Sequence, residues 1–229
     1  MRNIKNKQYY GLLSLFSLFL LLFTIIRTDH KNRRYLLPLF LAFTGLNYIL
    51  EYYVLVISKA YRYFPKVFKN AYFDNIFGAT ISQLLVVPTT GLLLSILNIK
   101  YRWSLLFTLI ITSIEILFLK KKIFKNYWWK TYYTLIGLQL FYLLATFWRK
   151  QLIEKKNKHV KIMTVFLSIF VTHTTLMFYH VSFLRTFLFN VKWFKNPFRS
   201  HIAFATLYTW CSSIIICSCI YLKIHFINF

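Results

Sequence analysis

Long apolar runs alternate with short basic segments along the whole chain. The seven runs cover residues 9–26, 35–58, 73–98, 103–119, 131–148, 162–183 and 201–222. A helix of about 20 apolar residues crosses the hydrocarbon layer of a bilayer, so each run is close to spanning length. The pattern predicts an all-α fold, a polytopic transmembrane helix bundle of about seven spans, with six as the alternative count.

The third run differs from the others because small and polar residues recur along it at four-residue spacing. Residues four apart share one face of a helix, and this face contains Asp74, Gly78, Ser82, Thr90 and Gly91. Small residues at this spacing let helix backbones approach closely within a membrane. We therefore predict that residues 73–98 form the central buried helix, with Gly78, Ser82 and Gly91 as helix-packing positions.

The connections between the runs are short and basic. Residues 59–72 place basic residues three or four positions apart with aromatic residues between them. This spacing is typical of an interfacial helix, here broken at Pro65, although a basic loop with aromatic anchors fits equally well. The most charged connection, near residue 150, predicts a boundary between a five-span membrane core, 1–150, and a two-span C-terminal extension, 151–229.

The net charge of +24 changes the expected partners. A strongly basic chain can bind nucleic acid, but these basic residues lie between apolar runs of spanning length, where anionic lipid headgroups are the natural partner. We expect membrane lipids as partners, together with another membrane protein or a second copy of the chain, and no nucleic acid. Slightly more Lys and Arg lie on the N-terminal side of the spans, which favours a cytoplasmic N-terminus.

Polar residues inside the runs are the candidates for a functional pocket. Charged side chains are costly in a membrane and face the interior of a bundle, where they find partners. Because consecutive spans reverse direction, late positions in spans two and four lie at the same end as early positions in spans three and five. The resulting candidate polar pocket comprises Asn47, Glu51, Asp74, Gln83, Glu115, Gln139 and His180.

Two interpretations of this set remain open. The polar residues could line a water-filled vestibule or binding pocket, or they could form hydrogen-bonding contacts between helices. Reflecting span four about its turn places Glu115 within one helical turn of Gln83, which predicts a hydrogen bond between them. Asp74 lies at the start of its helix and could instead cap it.

The sequence offers no pattern of a metal centre or a catalytic site. His173 and His180 lie seven residues apart, a spacing that suits interhelical hydrogen bonds better than a metal site or a proton relay. All three cysteines lie in the last apolar run without the paired spacing of zinc ligands. No metalloprotease, nucleophile-elbow or phosphate-loop motif is present. We therefore expect no metal, no cofactor and no catalytic residues, and an enzyme is the less favoured class.

Four segments together resemble a family of small multi-span membrane proteins from endospore-forming Firmicutes, the bacilli and clostridia. They are RTDHKNRRYLLPLFLAFTGLNYILEYYV, FPKVFKNAYFDNIFGATISQLLVVP, ITSIEILFLKKK and NYWWKTYYTLIGLQLFYLL. The resemblance covers roughly residues 1–150. It implies a host and a location only, a multi-pass protein of the cytoplasmic membrane of a spore-forming bacterium, and it supplies no biochemical activity. A role in sporulation is the expectation that goes with this host.

Two functions follow as expectations. The first is a non-enzymatic protein that assembles or interacts with other membrane components. The alternative is a small transporter or channel that uses an intramembrane polar pocket around Glu51 and Glu115. Satisfied polar contacts and an exposed face of small residues would favour assembly. Carboxylates that line a continuous cavity reaching both faces of the membrane would favour transport.

Overall fold

The computed structural model describes the backbone of residues 2–227 and the side chains of residues 6–222. It is 79% helical with little sheet, so the predicted all-α bundle is confirmed. The α-helices are α1 (Arg2–Arg27), α2 (His30–Arg33), α3 (Leu36–Glu51), α4 (Ala71–Thr80), α5 (Val87–Ile96), α6 (Tyr101–Lys120), α7 (Thr131–Arg149), α8 (Lys158–Tyr179) and α9 (Pro197–Ile227). Four π-helical segments interrupt or extend them: π1 (Tyr52–Ile57), π2 (Ile81–Val86), π3 (Lys150–Glu154) and π4 (His180–Leu184). The two strands are β1 (Tyr61–Tyr63) and β2 (Phe124–Asn126).

Six helices within the described residues are long and apolar enough to cross a membrane, which is the lower of the two predicted counts. The predicted fifth span, 131–148, is α7, a helix of 19 residues that is not among these six. Its two tyrosines near the start and Gln139 in the middle make it less apolar than the others. It still packs between α5 and α6 and runs antiparallel to α6.

Span three is the centre of the bundle, as the sequence predicts. In the helical stretch Ala71–Ile96, 72% of the most apolar 18-residue segment is buried. The corresponding share is 17% for the first span and 50% for the second. Every residue of α5 is buried, and α1, α3 and α7 all pack against it. Pro88 lies in the first turn of α5, directly after π2. Because proline lacks the N–H that an α-helix needs at this position, the wider π-helical turn lets the span continue through it.

A short two-stranded ribbon joins connections two and four. β1 and β2 are antiparallel, and Tyr61 pairs with Asn126 and Tyr63 with Phe124. The predicted interfacial helix over residues 59–72 is therefore wrong, since this connection consists of a strand and a loop. The side chain of Asn6 on α1 donates to the Phe64 carbonyl oxygen over 2.7 Å, so the ribbon lies at the end of the bundle where α1 begins. We call this end the ribbon end.

The last two helices pack closely on the first part of the chain. A methyl group at Gly45 of α3 would lie 2.9 Å from Cβ of Leu167 and 3.1 Å from its carbonyl oxygen, so α3 and α8 are in close contact. At the ribbon end, the Arg199 guanidinium of α9 donates to the carbonyl oxygens of Val56 and Ile57, each over 2.8 Å. These carbonyls belong to the last turn of π1, so Arg199 caps the second span. The division at residue 150 remains a prediction.

Candidate binding cavity

A cavity of about 490 Å³ extends from the ribbon end into the bundle. Residues from α1, α3, π2, α6 and α7 form its walls, and both strands of the ribbon contribute side chains. Four of the seven predicted pocket residues line it, namely Asn47, Glu51, Gln83 and Glu115. The structure therefore places the two glutamates of spans two and four along one cavity.

The carboxylate of Glu51 is a buried polar group of the cavity wall. Its Oε2 accepts a hydrogen bond from the Tyr61 hydroxyl over 2.6 Å and another from Gln83 Nε2 over 2.9 Å. Its Oε1 is buried and has no hydrogen-bond partner among the described residues, and the same holds for Nδ2 of Asn47, one helical turn earlier. Two residues that line this cavity thus each have a buried polar atom without a partner among the described residues, which is unusual in a folded protein.

Local backbone geometry positions the hydrogen-bonded side chains of Glu51 and Gln83. Glu51 is the last residue of α3 before π1, and Gln83 lies within π2. A π-helical turn rotates the residues after it relative to a regular α-helix, and such turns are frequent at functional sites. Both side chains of the Glu51–Gln83 hydrogen bond are therefore located where the helical path departs from the α form.

Glu115 has different partners from those the sequence predicts. The expected hydrogen bond with Gln83 is wrong, because Gln83 donates to Glu51. Glu115 Oε1 instead accepts from the Thr131 hydroxyl over 3.1 Å and from Asn126 Nδ2 over 3.5 Å. Its side chain is half-buried, and it lies beside the N-terminus of α7, where the helix dipole favours a negative charge.

The ribbon contributes neutral tyrosines to the wall. Burial raises the pKa of Tyr61 well above its ordinary value, and the neighbouring charge of Glu51 adds to this. Burial also raises the pKa of Tyr63, with the charges of both Glu51 and Glu115 contributing. Both phenols therefore keep their protons at neutral pH, and Tyr61 serves as a donor to the carboxylate.

A second, smaller cavity of about 80 Å³ lies on the other side of Glu51 and Gln83, toward α8 and α9. These two side chains line both cavities and so form part of the wall between them. His201 also lines the small cavity and is fully buried. Its Nδ1 accepts from the Phe189 backbone N–H over 2.9 Å, which puts the ring proton on Nε2. That Nε2 has no partner within the described part of the chain.

The remaining three predicted pocket residues lie elsewhere. Asp74 accepts backbone N–H groups from Lys66, Val67 and Phe68 at 2.7–3.0 Å and so holds the loop after β1, while Asn70 caps the helix. Gln139 bonds to Ser104 and Thr108 of α6 and does not line the cavity. His180 is exposed at the start of π4. For these residues the expectation of one shared pocket is wrong, because depth along a span does not fix the direction in which a side chain points.

The three predicted packing residues have three different environments. Gly78 lies against Tyr63 of the ribbon and not against another helix, Ser82 lines the large cavity, and Gly91 faces the ring of Phe141 on α7. A methyl group at Gly91 would lie 2.6 Å from Cε1 of that ring. The close packing expected at Gly78 is present, but its partner is a strand that the sequence analysis did not predict.

His173 connects the last two helices. His173 Nδ1 lies 3.0 Å from the Ser212 hydroxyl on α9, so the predicted interhelical hydrogen bond is confirmed. Among the described residues, no group of three metal-ligating side chains could hold a metal ion. Sequence reasoning missed Tyr61, Tyr63 and Trp129 as cavity residues. Their only signal was an excess of aromatic residues in connections two and four, which is also typical of a membrane interface.

Comparison of the chain with protein-family models, with curated proteins and with solved structures gives no match, so the resemblance drawn from its sequence segments remains a prediction.

Proposed function

We propose that the chain is a membrane carrier that binds a small amphiphilic molecule in the large cavity and exchanges it sideways with the lipid. The observation that carries this proposal is the composition of the cavity wall. The part of the wall near the ribbon contains the carboxylates of Glu51 and Glu115. Leucine and isoleucine side chains from α1, α3, α6 and α7 form much of the remaining wall. A wall that is polar at one end and apolar along its length fits a ligand with the same division.

Access from the lipid supports exchange by a lateral route. Leu50 on α3 and Leu140 on α7 both line the cavity, and their exposed fractions are 55% and 62%. Side chains that are exposed on an apolar surface and also line a cavity mark a place where the cavity reaches that surface. An amphiphile could then enter between these two helices without crossing the polar ends of the bundle.

The assembly function draws less support from the geometry. Assembly with another membrane protein requires small residues on an exposed face, where the two proteins can pack closely. Gly78 and Gly91 are instead covered within the chain, by Tyr63 and Phe141. Binding inside the bundle therefore fits the described residues better than assembly through the third span.

The proposed setting is the cytoplasmic membrane of a spore-forming bacterium, and it rests on the resemblance of the first 150 residues. Anionic lipid headgroups are the proposed partners of the basic connections. Around the ribbon, Arg62 and Lys66 both lie near the ring of Phe64, at 5.1 and 5.8 Å from its centroid. Basic side chains beside aromatic rings suit a position at the headgroup level.

The test compares two glycine variants and a photoactivatable probe, a diazirine-bearing hexadecanol. Gly137 lines the cavity and Gly11 lies on α1 outside it, and at both positions a new Cβ would have no described atom within 4 Å. Gly137→Phe should occupy part of the cavity and reduce crosslinking to Leu138 and Phe141, which line it and are buried, whereas Gly11→Phe should leave it unchanged. Equal crosslinking in the parent and in Gly137→Phe, confined to outward-facing positions, would refute the carrier proposal.

A further inference from the structure

The charge of the cavity is opposite to the charge of the protein. The chain carries 29 basic residues against five acidic ones. Among the residues that the structure describes, the only charged side chains along the cavity wall are Glu51 and Glu115. A cavity that concentrates carboxylates in so basic a chain is suited to a positively charged group.

Aromatic rings surround the carboxylate end of the cavity. Tyr61 is in contact with Phe124 and Trp129, at ring-centroid distances of 5.3 and 5.5 Å, and Tyr63 is 4.8 Å from Phe124. All four residues line the cavity. Rings that pack against one another in this way keep fixed orientations, and the negative face of an aromatic ring attracts a cation. Proteins recognise amines and ammonium groups with cages of this kind.

The buried oxygen of Glu51 requires a hydrogen-bond donor. Glu51 is only 8% exposed, and its Oε1 lacks a partner among the described residues although Oε2 has two. A ligand group with several N–H donors would satisfy this atom. Among the described residues, no group of three His, Cys, Asp or Glu side chains could hold a metal ion, whereas a cation such as Ca²⁺ takes six or more oxygen ligands. An organic cation therefore fits the wall better than a metal ion.

We propose, building on the carrier function above, that the polar end of the ligand is a primary ammonium group. The carboxylates of Glu51 and Glu115 neutralise its charge, Glu51 Oε1 accepts one of its N–H groups, and the rings of Tyr61, Tyr63 and Trp129 enclose it. The apolar part of the ligand extends toward Leu50 and Leu140. Two sources supply this chemistry: a free long-chain amine and the headgroup of an ethanolamine phospholipid.

The experiment measures binding of dodecylamine and of dodecanol, its uncharged counterpart, by native mass spectrometry in a neutral detergent. Glu51→Gln should weaken dodecylamine binding by roughly tenfold or more, because removing one member of a buried charge pair has effects of this size. Glu115→Gln should also weaken it, but less, because Glu115 is half-buried. Dodecanol binding should change little. Glu154→Gln removes a carboxylate far from the cavity, where Glu154 pairs with Arg149, and should leave both probes unaffected.

The source of the ammonium group follows from competition. If phosphatidylethanolamine displaces dodecylamine and phosphatidylglycerol does not, the ligand is a lipid headgroup. If neither lipid displaces it, the ligand is a free amine, and both results support the inference.

Two results would overturn the inference. If the parent binds both probes equally and Glu51→Gln changes neither, the cavity does not select an ammonium group, although the carrier proposal survives. If neither probe binds, both proposals fail. Should Glu51→Gln not fold, Glu115→Gln decides the question, because Glu115 is only half-buried.

Discussion

The contact between Gly78 and the ribbon gives the sharpest prediction about stability. A methyl group at Gly78 of α4 would overlap Cβ of Tyr63, and it would lie 2.9 Å from Cγ of that residue and 3.3 Å from Cδ of Pro65. The Tyr63 backbone pairs with β2, and the proline ring is rigid. Neither group can move away without displacing the whole connection, so Gly78→Ala must push the ribbon off the third span.

The expected magnitude follows from two opposing terms. Replacing glycine by alanine inside a helix ordinarily stabilises it by up to about 1 kcal/mol. Overpacking a filled site costs about 1–3 kcal/mol. Gly137→Ala has the first term alone, since no described atom lies within 4 Å of the new methyl group. Gly78→Ala should therefore be about 1–3 kcal/mol less stable than Gly137→Ala, and Gly78→Leu should prevent assembly of the bundle.

The assay is thermal unfolding of purified variants in a neutral detergent, followed by size-exclusion chromatography with fluorescence detection. For a chain of this length a difference of 1 kcal/mol shifts the midpoint by about 2–4 °C. Gly11→Ala, on the outer face of α1, is a second control that should behave as Gly137→Ala does. If Gly78→Ala unfolds at the same temperature as the two controls, the ribbon does not pack on span three, and the wall of the cavity must be redrawn.

Three further predictions concern the ribbon end. Burial raises the pKa of Tyr61 in the folded protein above its ordinary value of 10.0, so its contribution to stability is present below pH 10 and is lost as the pH rises further. In alkaline unfolding experiments Tyr61→Phe should therefore lose less stability than the parent above pH 10, and an identical loss would contradict this. Asp74→Ala leaves three backbone N–H groups without their acceptor at a cost of about 1–3 kcal/mol, so limited proteolysis should cut connection two faster, and an unchanged rate would show that Asp74 does not hold this loop. Replacing the three lysines at 120–122 by Gln, Gln and Asn should make the orientation of connection four less uniform, because basic residues next to a span bias its insertion. If a cysteine introduced in place of Lys125 in the otherwise unchanged protein is labelled from outside intact cells, the predicted cytoplasmic N-terminus is wrong.

Properties that depend on position along the chain could be predicted from the sequence. The apolar runs gave the helices, and the small and polar residues of residues 73–98 correctly marked the buried central span. Glu51 and Glu115 line one cavity because consecutive spans reverse direction, which places late positions of spans two and four at one end. None of these inferences requires knowledge of how a helix is rotated about its axis.

Properties that depend on rotation and on long-range pairing could not be predicted. Gln139 lies at a depth consistent with the pocket, but its side chain turns toward Ser104 and Thr108. The strand at residues 61–63 is too short for an alternating pattern to show, and its partner lies more than 60 residues later in the chain. Gln83 could have reached either glutamate, and the π-helical turn that directs it to Glu51 leaves no mark in the composition.

The ribbon also has a consequence for how the protein is made. β1 is synthesised before spans three and four, and β2 only after them, so the strands cannot pair until the fourth span has returned to the ribbon end. A nascent chain that has inserted three spans therefore has Glu51 in place without the wall that encloses it. The pairing closes a long loop, a step that is slow compared with helix formation. The cavity is thus a late product of biogenesis, and a chain stalled before residue 124 would expose an unfinished carboxylate site to the membrane and to the insertion machinery.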